Sequence, residues 1–477
     1  MNVLDYLIML IYFAVMIGAG YWGLRRARSA DDYLVAGRRL GPFMYIGCLS
    51  AVVLGGASTI GGVALGYENG ISGMWLVFWI GMGIIALGVL MSTRLSRLGV
   101  YTVAEMLENR YGAPSRLISA LIIAAYALMI AVTSTIAIGT VFNVVLGLSP
   151  TVAILVAGGI VVAYSVAGGM WSITLTDIIQ FCIMTVGIFF LLLPIAVVRA
   201  GGFSGMQEAL PASYFDLTTI GWQTIFTYFL LFFFGLMIGQ DIWQRVFTAR
   251  SPEIARWGSV AAGVYCLLYA LAGALVGTAG RVILPDISAD NAFARIATDA
   301  LPIGITGLVL AAALAAVMST ASAGLLASST ILANDVYAGF VARGEHNKVL
   351  VSRVTTLLVG VATLVTSIAV NDVVGALTVA YNLLTGALFV SIVGALFWGR
   401  ATAAGALASM AAGSVAVVAF MVKDGLFANT PIIWGLVASL VAFVVVSLLT
   451  PKPSQERMAA WERRLTEGET ARVPEEA

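Results

Sequence analysis

The chain has 477 residues, of which 60% are hydrophobic and 10% are charged, and its mean hydropathy is +1.00. This balance excludes a soluble globular domain and predicts an all-α polytopic membrane protein embedded in a lipid bilayer. The net charge of +1 argues against nucleic acid as a partner, and the single histidine, His346, lies in a polar loop, which argues against a histidine-based metal or catalytic site.

Apolar runs separated by charged or turn-forming residues predict about thirteen transmembrane helices. In chain order they lie at 4–24, 41–69, 73–93, 117–147, 151–169, 174–198, 222–248, 258–284, 303–338, 351–370, 372–398, 402–422 and 431–450. We therefore expect residues 1–450 to form one transmembrane domain and residues 451–477 to form a polar tail.

The second predicted span contains the stretch SAVVLGGASTIGG, in which the glycines Gly55 and Gly56 are adjacent. Glycine inside a helix costs about 1 kcal/mol relative to alanine, so this pair predicts a break in the helix. Lipid cannot satisfy the backbone groups that a break frees, so the break must be buried in protein or line a watery site. Transporters use such breaks to bind ions and substrates. The alternative is that the glycines only allow neighbouring helices to pack closely.

A second glycine-interrupted span, FFFGLMIGQDIWQR, lies near 222–248, where Gly235 and Gly239 flank the predicted break. It comes five spans after the first, so 41–198 and 222–398 form two five-helix units. Because five is odd, the second unit enters the membrane from the opposite side. This predicts a 5+5 inverted repeat with two discontinuous helices and a binding site where they meet. Residues 1–40 add one helix and a loop, and 399–450 add two helices.

The distribution of basic residues predicts the orientation of the chain. With the N-terminus outside, only Arg199, Arg281, Arg295 and Lys423 among the lysines and arginines fall on the outer side. This asymmetry satisfies the positive-inside rule and places the tail in the cytoplasm.

The ninth predicted span carries Ser319 and Thr320 three and four residues after Ala316. Their hydroxyls therefore share a helix face with the Ala316 carbonyl. Two hydroxyls, this carbonyl and two carbonyls freed by a broken helix would supply five oxygens to a sodium ion. The alternative is that Ser319, Thr320 and Ser322 are interhelical hydrogen-bond partners.

Among the acidic residues, Asp177 begins the sixth predicted span. It either favours the positive end of the helix dipole or forms part of an inner ion path. Glu68, Asp241 and Asp335 lie nearer the predicted membrane edges, and we expect them to be solvated.

Several motifs together resemble the sodium:solute symporter family, which has the inverted-repeat fold of the bacterial leucine transporter. In chain order they are DDYLVAGRRLGPF, SAVVLGGASTIGG, GYENG, GGMWSITLTDIIQ, GQDIWQR and AAVMSTASAGLLASSTILANDVY. The resemblance implies sodium-coupled uptake, and it places the family's sodium site on the carbonyls of Ala51, Leu54 and Ala316 and the hydroxyls of Ser319 and Thr320. A second sodium site of some members would involve Asp177, Ser319 and Ser322, but Ala323 stands where a further serine would help.

Within the family, three pieces look most like the choline-transporting branch: GGMWS…TDIIQ, the glycine pair of the second span and the FFG…QR segment. That branch should hold a quaternary ammonium with aromatic rings, but Val53 and Gly239 occupy two positions where cage tryptophans are expected. Gly235 also replaces the inner tyrosine gate of sugar-transporting members. The candidate substrate residues are Ser58, Thr59, Phe232, Gly235, Gln240 and Tyr381.

These observations favour a sodium-coupled symporter that imports a small organic solute, an amino acid or short carboxylate, by alternating access. The alternatives are a proton-coupled transporter with Asp177 as the proton carrier, or a sodium-coupled transporter of choline or a sugar. An enzyme would need a catalytic pair or a metal cluster, and the sequence offers neither. Sodium is the expected co-transported ion, with no organic cofactor. We expect a monomer or weak oligomer in a plasma membrane, as in the bacterial inner membrane.

Overall fold

The computed structural model describes residues 2–26, 30–341, 348–370 and 372–467. His346 and the tail residues 468–477 lie outside the described residues. Within the described ranges the backbone is helical and forms no strand, although an isolated parallel bridge joins Leu40 and Ala249. The predicted all-α class is therefore confirmed.

The α-helices of the first half are α1 Val3–Arg26, α2 Ala30–Val35, α3 Pro42–Val53, α4 Gly62–Asn69, α5 Trp75–Leu90, α6 Ser92–Arg97, α7 Val103–Tyr111, α8 Ala113–Leu146, α9 Pro150–Met184, α10 Leu193–Arg199 and α11 Gly202–Ala209. Those of the second half are α12 Trp222–Tyr228, α13 Phe234–Leu236, α14 Gln240–Thr248, α15 Pro252–Ile283, α16 Ala292–Ala300, α17 Ile305–Thr330, α18 Lys348–Val370, α19 Val373–Phe397, α20 Ala403–Asp424, α21 Thr430–Leu449 and α22 Gln455–Glu467. Wider π-helical turns occur at Ala57–Gly61, Thr185–Leu192, Phe229–Phe233 and Ile331–Val341.

Within the described residues, eleven helical segments are long and apolar enough to cross a membrane. Pro42–Val53 and Pro150–Val166 are shorter apolar helices. They correspond to the first half of the predicted broken span 41–69 and to the predicted span 151–169. The count of thirteen stays a prediction.

The helical stretch α9 covers parts of two predicted spans and bends sharply between Tyr164 and Ser172. A side chain at Gly20 would lie 3.5 Å from both Tyr164 Cβ and Ser172 Oγ. Eight residues of a straight helix rise about 12 Å, so both atoms could not lie so close to one point without a bend. The bend agrees with the predicted division of this region into two spans near Gly169.

The helix α17 lies at the centre of the protein. Every residue from Val309 to Thr330 is buried, and α1, α8 and α9 all pack against this helix. Its sequence is rich in alanine, serine and glycine, whose small side chains let the surrounding backbones approach closely. The hydroxyls of α17 are therefore held next to backbone groups of neighbouring helices.

The two broken helices run in opposite directions beside α17. At one end, the amide of Leu40, just before α3, donates to the carbonyl of Thr248 at the end of α14 (3.0 Å). At the other end, Ser72 Oγ, just beyond α4, donates to the carbonyl of Leu217, which precedes α12 (2.9 Å). The first broken helix therefore begins where the second ends, so that their two breaks lie at a similar depth.

The expectation that Glu68, Asp241 and Asp335 are solvated is correct for Glu68, which is exposed. It is wrong for the two aspartates, because Asp241 is 3% exposed and Asp335 is fully buried. Asp335 accepts hydrogen bonds from Arg116 Nε at 2.8 Å and Thr102 Oγ1 at 3.1 Å. Polar residues near a predicted span end are therefore packed inside the protein here.

Candidate substrate and cation site

The first break lies where the adjacent glycines predict it. The helix α3 ends at Val53, Leu54 is non-helical with φ −91° and ψ 55°, and the chain resumes as the π-helical turn Ala57–Gly61. A Cβ at Gly55 would come within 2.5 Å of Thr320 Cβ. Glycine is therefore required here so that the broken segment can lie against α17.

Four successive carbonyls at the end of α3 each accept a hydrogen bond from a side-chain hydroxyl. The pairs are Ser319 Oγ to Ala51 O (2.7 Å), Thr320 Oγ1 to Val52 O (2.6 Å), Ser58 Oγ to Val53 O (3.1 Å) and Thr59 Oγ1 to Leu54 O (3.1 Å). The last four carbonyls of a helix have no partner within that helix. These hydroxyls satisfy them where lipid could not.

This arrangement brings part of the predicted sodium set together. Ser319 Oγ lies 2.7 Å from the Ala51 carbonyl and 2.8 Å from the Ala316 carbonyl. Thr320 is bonded to Val52, and the Leu54 carbonyl accepts from Thr59 instead of joining the cluster around Ser319. The neighbourhood therefore supplies neutral oxygens of the kind that a small hard cation binds.

The second break lies between α13 and α14. Gly239 is extended, with φ −62° and ψ 132°, and the freed carbonyl of Met237 accepts from Trp243 Nε1 at 2.8 Å. An indole nitrogen can only donate, so the hydrogen-bond partner of this carbonyl is a group that cannot itself bind a cation. All nine residues of α14, including Asp241 and Arg245, are buried.

A small cavity of about 20 Å³ lies between the two breaks. It is lined by Val52, Val53, Gly55, Gly56, Ala57, Ser58, Ile80, Ile130, Thr133, Ser134, Leu236, Asp241, Ile242, Thr320, Leu377 and Tyr381. Most of this lining is apolar, with hydroxyls from four helical segments and one carboxylate. The cavity has room for about one water molecule.

The predicted substrate residues fall into three groups. Ser58 and Tyr381 line the cavity. Thr59, Phe232 and Gly235 lie directly behind the lining: Thr59 is bonded to Tyr269 Oη at 2.8 Å, and Phe232 packs edge-on against Tyr381 at 5.4 Å.

Gln240 lies away from the cavity. Its side-chain oxygen accepts from the amide of Val103 (2.8 Å), and its side-chain nitrogen donates to the carbonyl of Tyr101 (3.1 Å). It therefore joins α14 to the start of α7.

Gly239, which departs from the choline-transporting pattern, and Gly235, which departs from the sugar-transporting pattern, both have close neighbours. A Cβ at Gly239 would lie 2.9 Å from both Asp241 Oδ1 and Tyr126 Oη. A Cβ at Gly235 would lie 2.7 Å from Tyr381 Cε1 and 2.8 Å from Thr385 Oγ1. The spaces in which tryptophan or tyrosine side chains would project are thus occupied by other side chains.

Asp177 is fully buried in α9 and is ion-paired. Its Oδ2 accepts from Arg245 Nη2 and from the Cys48 thiol, both at 3.1 Å. Ser322 Oγ donates to the Ser319 carbonyl at 3.0 Å, and no hydrogen bond joins it to Asp177 among the described residues. A guanidinium from the second broken helix therefore lies where a second cation would approach Asp177.

Sequence reasoning missed three polar residues of the cavity: Thr133 and Ser134 of α8, and Asp241. The two hydroxyls lie in the run IAVTSTIAI, which contains no glycine or charge to mark them. Asp241 lies two residues after Gly239, one of the glycines that flank the predicted break, and that position was the available signal. Among the described residues, no group of three or more histidine, cysteine or acidic side chains could hold a metal ion.

The sequence profile of the Sodium:solute symporter family matches residues 33–413. The high-affinity proline transporter PutP of Bacillus subtilis is 29% identical, over 92% of this chain and 97% of that protein. The sodium/proline symporter of Escherichia coli is 27% identical, over 96% of this chain and 95% of that protein. These relatives are proline transporters, so they do not support the choline-like branch.

Solved structures show the same fold. A substrate-bound, outward-open Na+-coupled sialic acid symporter superposes with a TM-score of 0.82 at 19% identity, covering 95% of this chain and 99% of that one. MhsT in complex with L-phenylalanine gives a TM-score of 0.57 at 12% identity, covering 86% and 98%. The multi-pass helical fold of these transporters is therefore the fold of this chain.

Proposed function

Because the chain belongs to the sodium:solute symporter family, we propose that it imports a small zwitterionic amino acid of the proline class together with sodium. It is a membrane transporter and not an enzyme. The substrate class is supported by the proline-transporting relatives.

One observation carries the proposal: two of the four residues with hydroxyl-bonded carbonyls at the end of α3, Val52 and Val53, line the cavity. Thr320, which donates to the Val52 carbonyl, lines it as well. A hydroxyl can donate to a carbonyl, and it can also turn its lone pairs to a cation. Hydroxyls and carbonyls that bond each other here could therefore bind sodium when the hydroxyl hydrogens turn away.

We assign the sodium ligands to the carbonyls of Ala51, Leu54 and Ala316 and to the hydroxyls of Ser319 and Thr320. Leu54 would join once its carbonyl is released by Thr59. Bound sodium would then bring positive charge next to the cavity, where it favours a substrate carboxylate. This gives a physical basis for coupling, because each species is bound better when the other is present.

Asp177 has a different proposed role. Its ion pair with Arg245 favours a part in the inner ion path over a complete second sodium site. Coupling to one sodium ion per substrate follows from this assignment.

The orientation of the chain is also a proposal, with the N-terminus outside and the tail in the cytoplasm. Reporter fusions at the tail and in the segment 285–300, which joins α15 to α17, should report opposite sides of the membrane. A shared side for both would contradict the arrangement and the inverted repeat that depends on it.

The function is tested in proteoliposomes by the uptake of labelled L-proline under an inward sodium gradient. Uptake should require sodium at fixed pH, and competition should come from amino acids or short monocarboxylates, not from choline or hexoses. Uptake driven by a proton gradient without sodium would contradict sodium coupling. Competition by choline or a hexose alone would contradict the substrate class.

A further inference from the structure

Asp241 is a buried carboxylate that faces the cavity without a cation paired to it. It is 3% exposed and lines the space between the two breaks. The nearest arginine, Arg245, donates to the Asp241 backbone carbonyl at 3.3 Å and pairs its Nη2 with Asp177. In the part of the chain that the structure describes, no lysine, arginine or histidine forms an ion pair with the Asp241 carboxylate.

The hydroxyl of Tyr126 holds this carboxylate in position. Tyr126 Oη donates to Asp241 Oδ1 at 2.9 Å and lies 3.3 Å from Tyr381 Oη. The rings of Tyr126 and Tyr381 pack edge to face at 5.3 Å. The absence of a side chain at Gly239 leaves room for this contact, since a Cβ there would lie 2.9 Å from both Asp241 Oδ1 and Tyr126 Oη.

A second polar group in the same cavity, the hydroxyl of Ser134, lacks a hydrogen-bond partner among the described residues. Ser134 Oγ is buried, and Ser134 lines the cavity. It lies eight residues after Tyr126 on α8, so both residues share one helix face. Buried polar groups are nearly always hydrogen-bonded, and a lone one indicates a ligand or water that completes it.

From this geometry we infer that Asp241 binds the ammonium group of the substrate and thereby selects solutes that carry a charged amine. The inference rests on the proposed function, because it assigns an orientation to the zwitterion. The substrate carboxylate lies toward the first break and its sodium. The ammonium lies toward Asp241, with Ser134 and Tyr381 available as further hydrogen-bond acceptors. An isolated buried charge is costly unless a partner neutralises it, and the substrate supplies that partner.

The test compares two ligands of the same shape and two acid-to-amide variants. L-Proline carries the charged amine, and tetrahydrofuran-2-carboxylate has a ring oxygen in its place. Binding of each to purified protein in saturating sodium is measured by thermal shift and by competition for uptake. The wild type should prefer proline by on the order of 30-fold or more, the effect of removing one partner of a buried charge pair.

Asp241→Asn should reduce this preference to a few-fold while sodium still stabilises the protein. Glu68→Gln is the matched control, because it removes a carboxylate from an exposed position outside the cavity and should keep the wild-type preference. An unchanged preference in Asp241→Asn would overturn the inference, and so would equal binding of the two ligands by the wild type.

Two further results keep the test decisive. Tyr126→Phe retains the ring but removes the hydrogen bond to Asp241, so it should lower the preference several-fold even if Asp241→Asn does not fold. An unchanged preference in Tyr126→Phe would then count against the inference. If the wild type binds no amino acid at all, the proposed substrate class fails; if it binds proline without preferring the amine, only the role of Asp241 fails.

Discussion

The two broken helices differ in the groups that donate hydrogen bonds to the carbonyls freed at their breaks. At the first break, four carbonyls from Ala51 to Leu54 accept hydrogen bonds from neutral hydroxyls, two of which come from α17. At the second break, the Met237 carbonyl accepts from an indole nitrogen, and the next helix brings Asp241 and Arg245 into the interior.

This difference fits the proposed division of a symporter's two tasks, ion binding and substrate selection. A hydroxyl can stop donating to a carbonyl and bind a cation with its oxygen lone pairs, whereas an indole nitrogen has no lone pair to offer. The first break is therefore suited to a reversibly bound ion. The second break is followed by two charged residues: Arg245, which pairs with Asp177, and Asp241, which faces the cavity. The second break is therefore suited to selecting the substrate.

The largest effect is expected from removing both α17 hydroxyls at the first break. Ser319→Ala with Thr320→Ala should lower sodium affinity by about two orders of magnitude or more, since each hydrogen-bonding group that contacts a charge contributes about 1.5–3 kcal/mol. The measurement is sodium activation of uptake at fixed pH. Ser409→Ala is the matched control, because Ser409 pairs with Ser439 in α20 and α21. Unchanged sodium activation in the double variant would show that sodium does not bind at the first break.

The next effect concerns the charged pair of the second break. Asp177→Asn leaves Arg245 buried without its carboxylate, and breaking a buried pair in this way costs about 3–5 kcal/mol. We expect a lower unfolding temperature in detergent and altered sodium activation, while the order of preferred substrates stays the same. Arg245→Gln combined with Asp177→Asn should recover much of the stability. A changed substrate order with normal sodium activation would place Asp177 in the substrate pocket instead.

Local sequence signals predicted two local features, the position of the first break and the polar face of α17. Adjacent glycines mark the first break, and the spacing of Ser319 and Thr320 from Ala316 places three oxygens on one face of α17. The sequence could not predict which α3 carbonyl accepts from which α17 hydroxyl. That register depends on how α3 and α17 pack together, and the bonded residues Ala51 and Ser319 are 268 positions apart in the chain. Thr320 accordingly meets Val52 here and not Leu54.

The environment of Asp241 could not be predicted for a related reason. A run such as QDIWQR is typical of the end of a span, where polar side chains meet water. All nine residues of α14 are buried instead, because α3, α6 and α17 pack around this helix. Sequence hydropathy measures the polarity of a segment but not whether protein or water surrounds it.

A smaller effect is expected where the second broken helix supports the cavity wall. A Cβ at Gly235 would lie 2.7 Å from Tyr381 Cε1, so Gly235→Ala should push the ring toward the cavity, at a cost of about 1–3 kcal/mol. We expect a higher KM for the substrate and normal sodium activation. Gly159→Ala is the control, since a Cβ at Gly159 meets nothing within 4 Å. A defect in sodium activation alone would show that the two breaks do not divide their tasks in this way.

The smallest effect separates two neighbouring hydroxyls of the first break. Ser58 lines the cavity and makes one hydrogen bond, to the Val53 carbonyl. Thr59 lies behind the lining and joins the Leu54 carbonyl to Tyr269 Oη. A neutral hydrogen bond contributes about 1 kcal/mol, so Ser58→Ala should raise the substrate KM by about fivefold with little change in unfolding temperature.

Thr59→Val keeps the shape of the side chain but removes both of its hydrogen bonds, so it should lower the unfolding temperature more than Ser58→Ala does. Uptake kinetics and thermal unfolding of the two variants, measured side by side, check this division. If Ser58→Ala were the more destabilising change, its hydroxyl would support the broken helix instead of the substrate. Ser58 would then have no role in the pocket, and substrate contacts at the first break would have to come from Thr320 and the backbone.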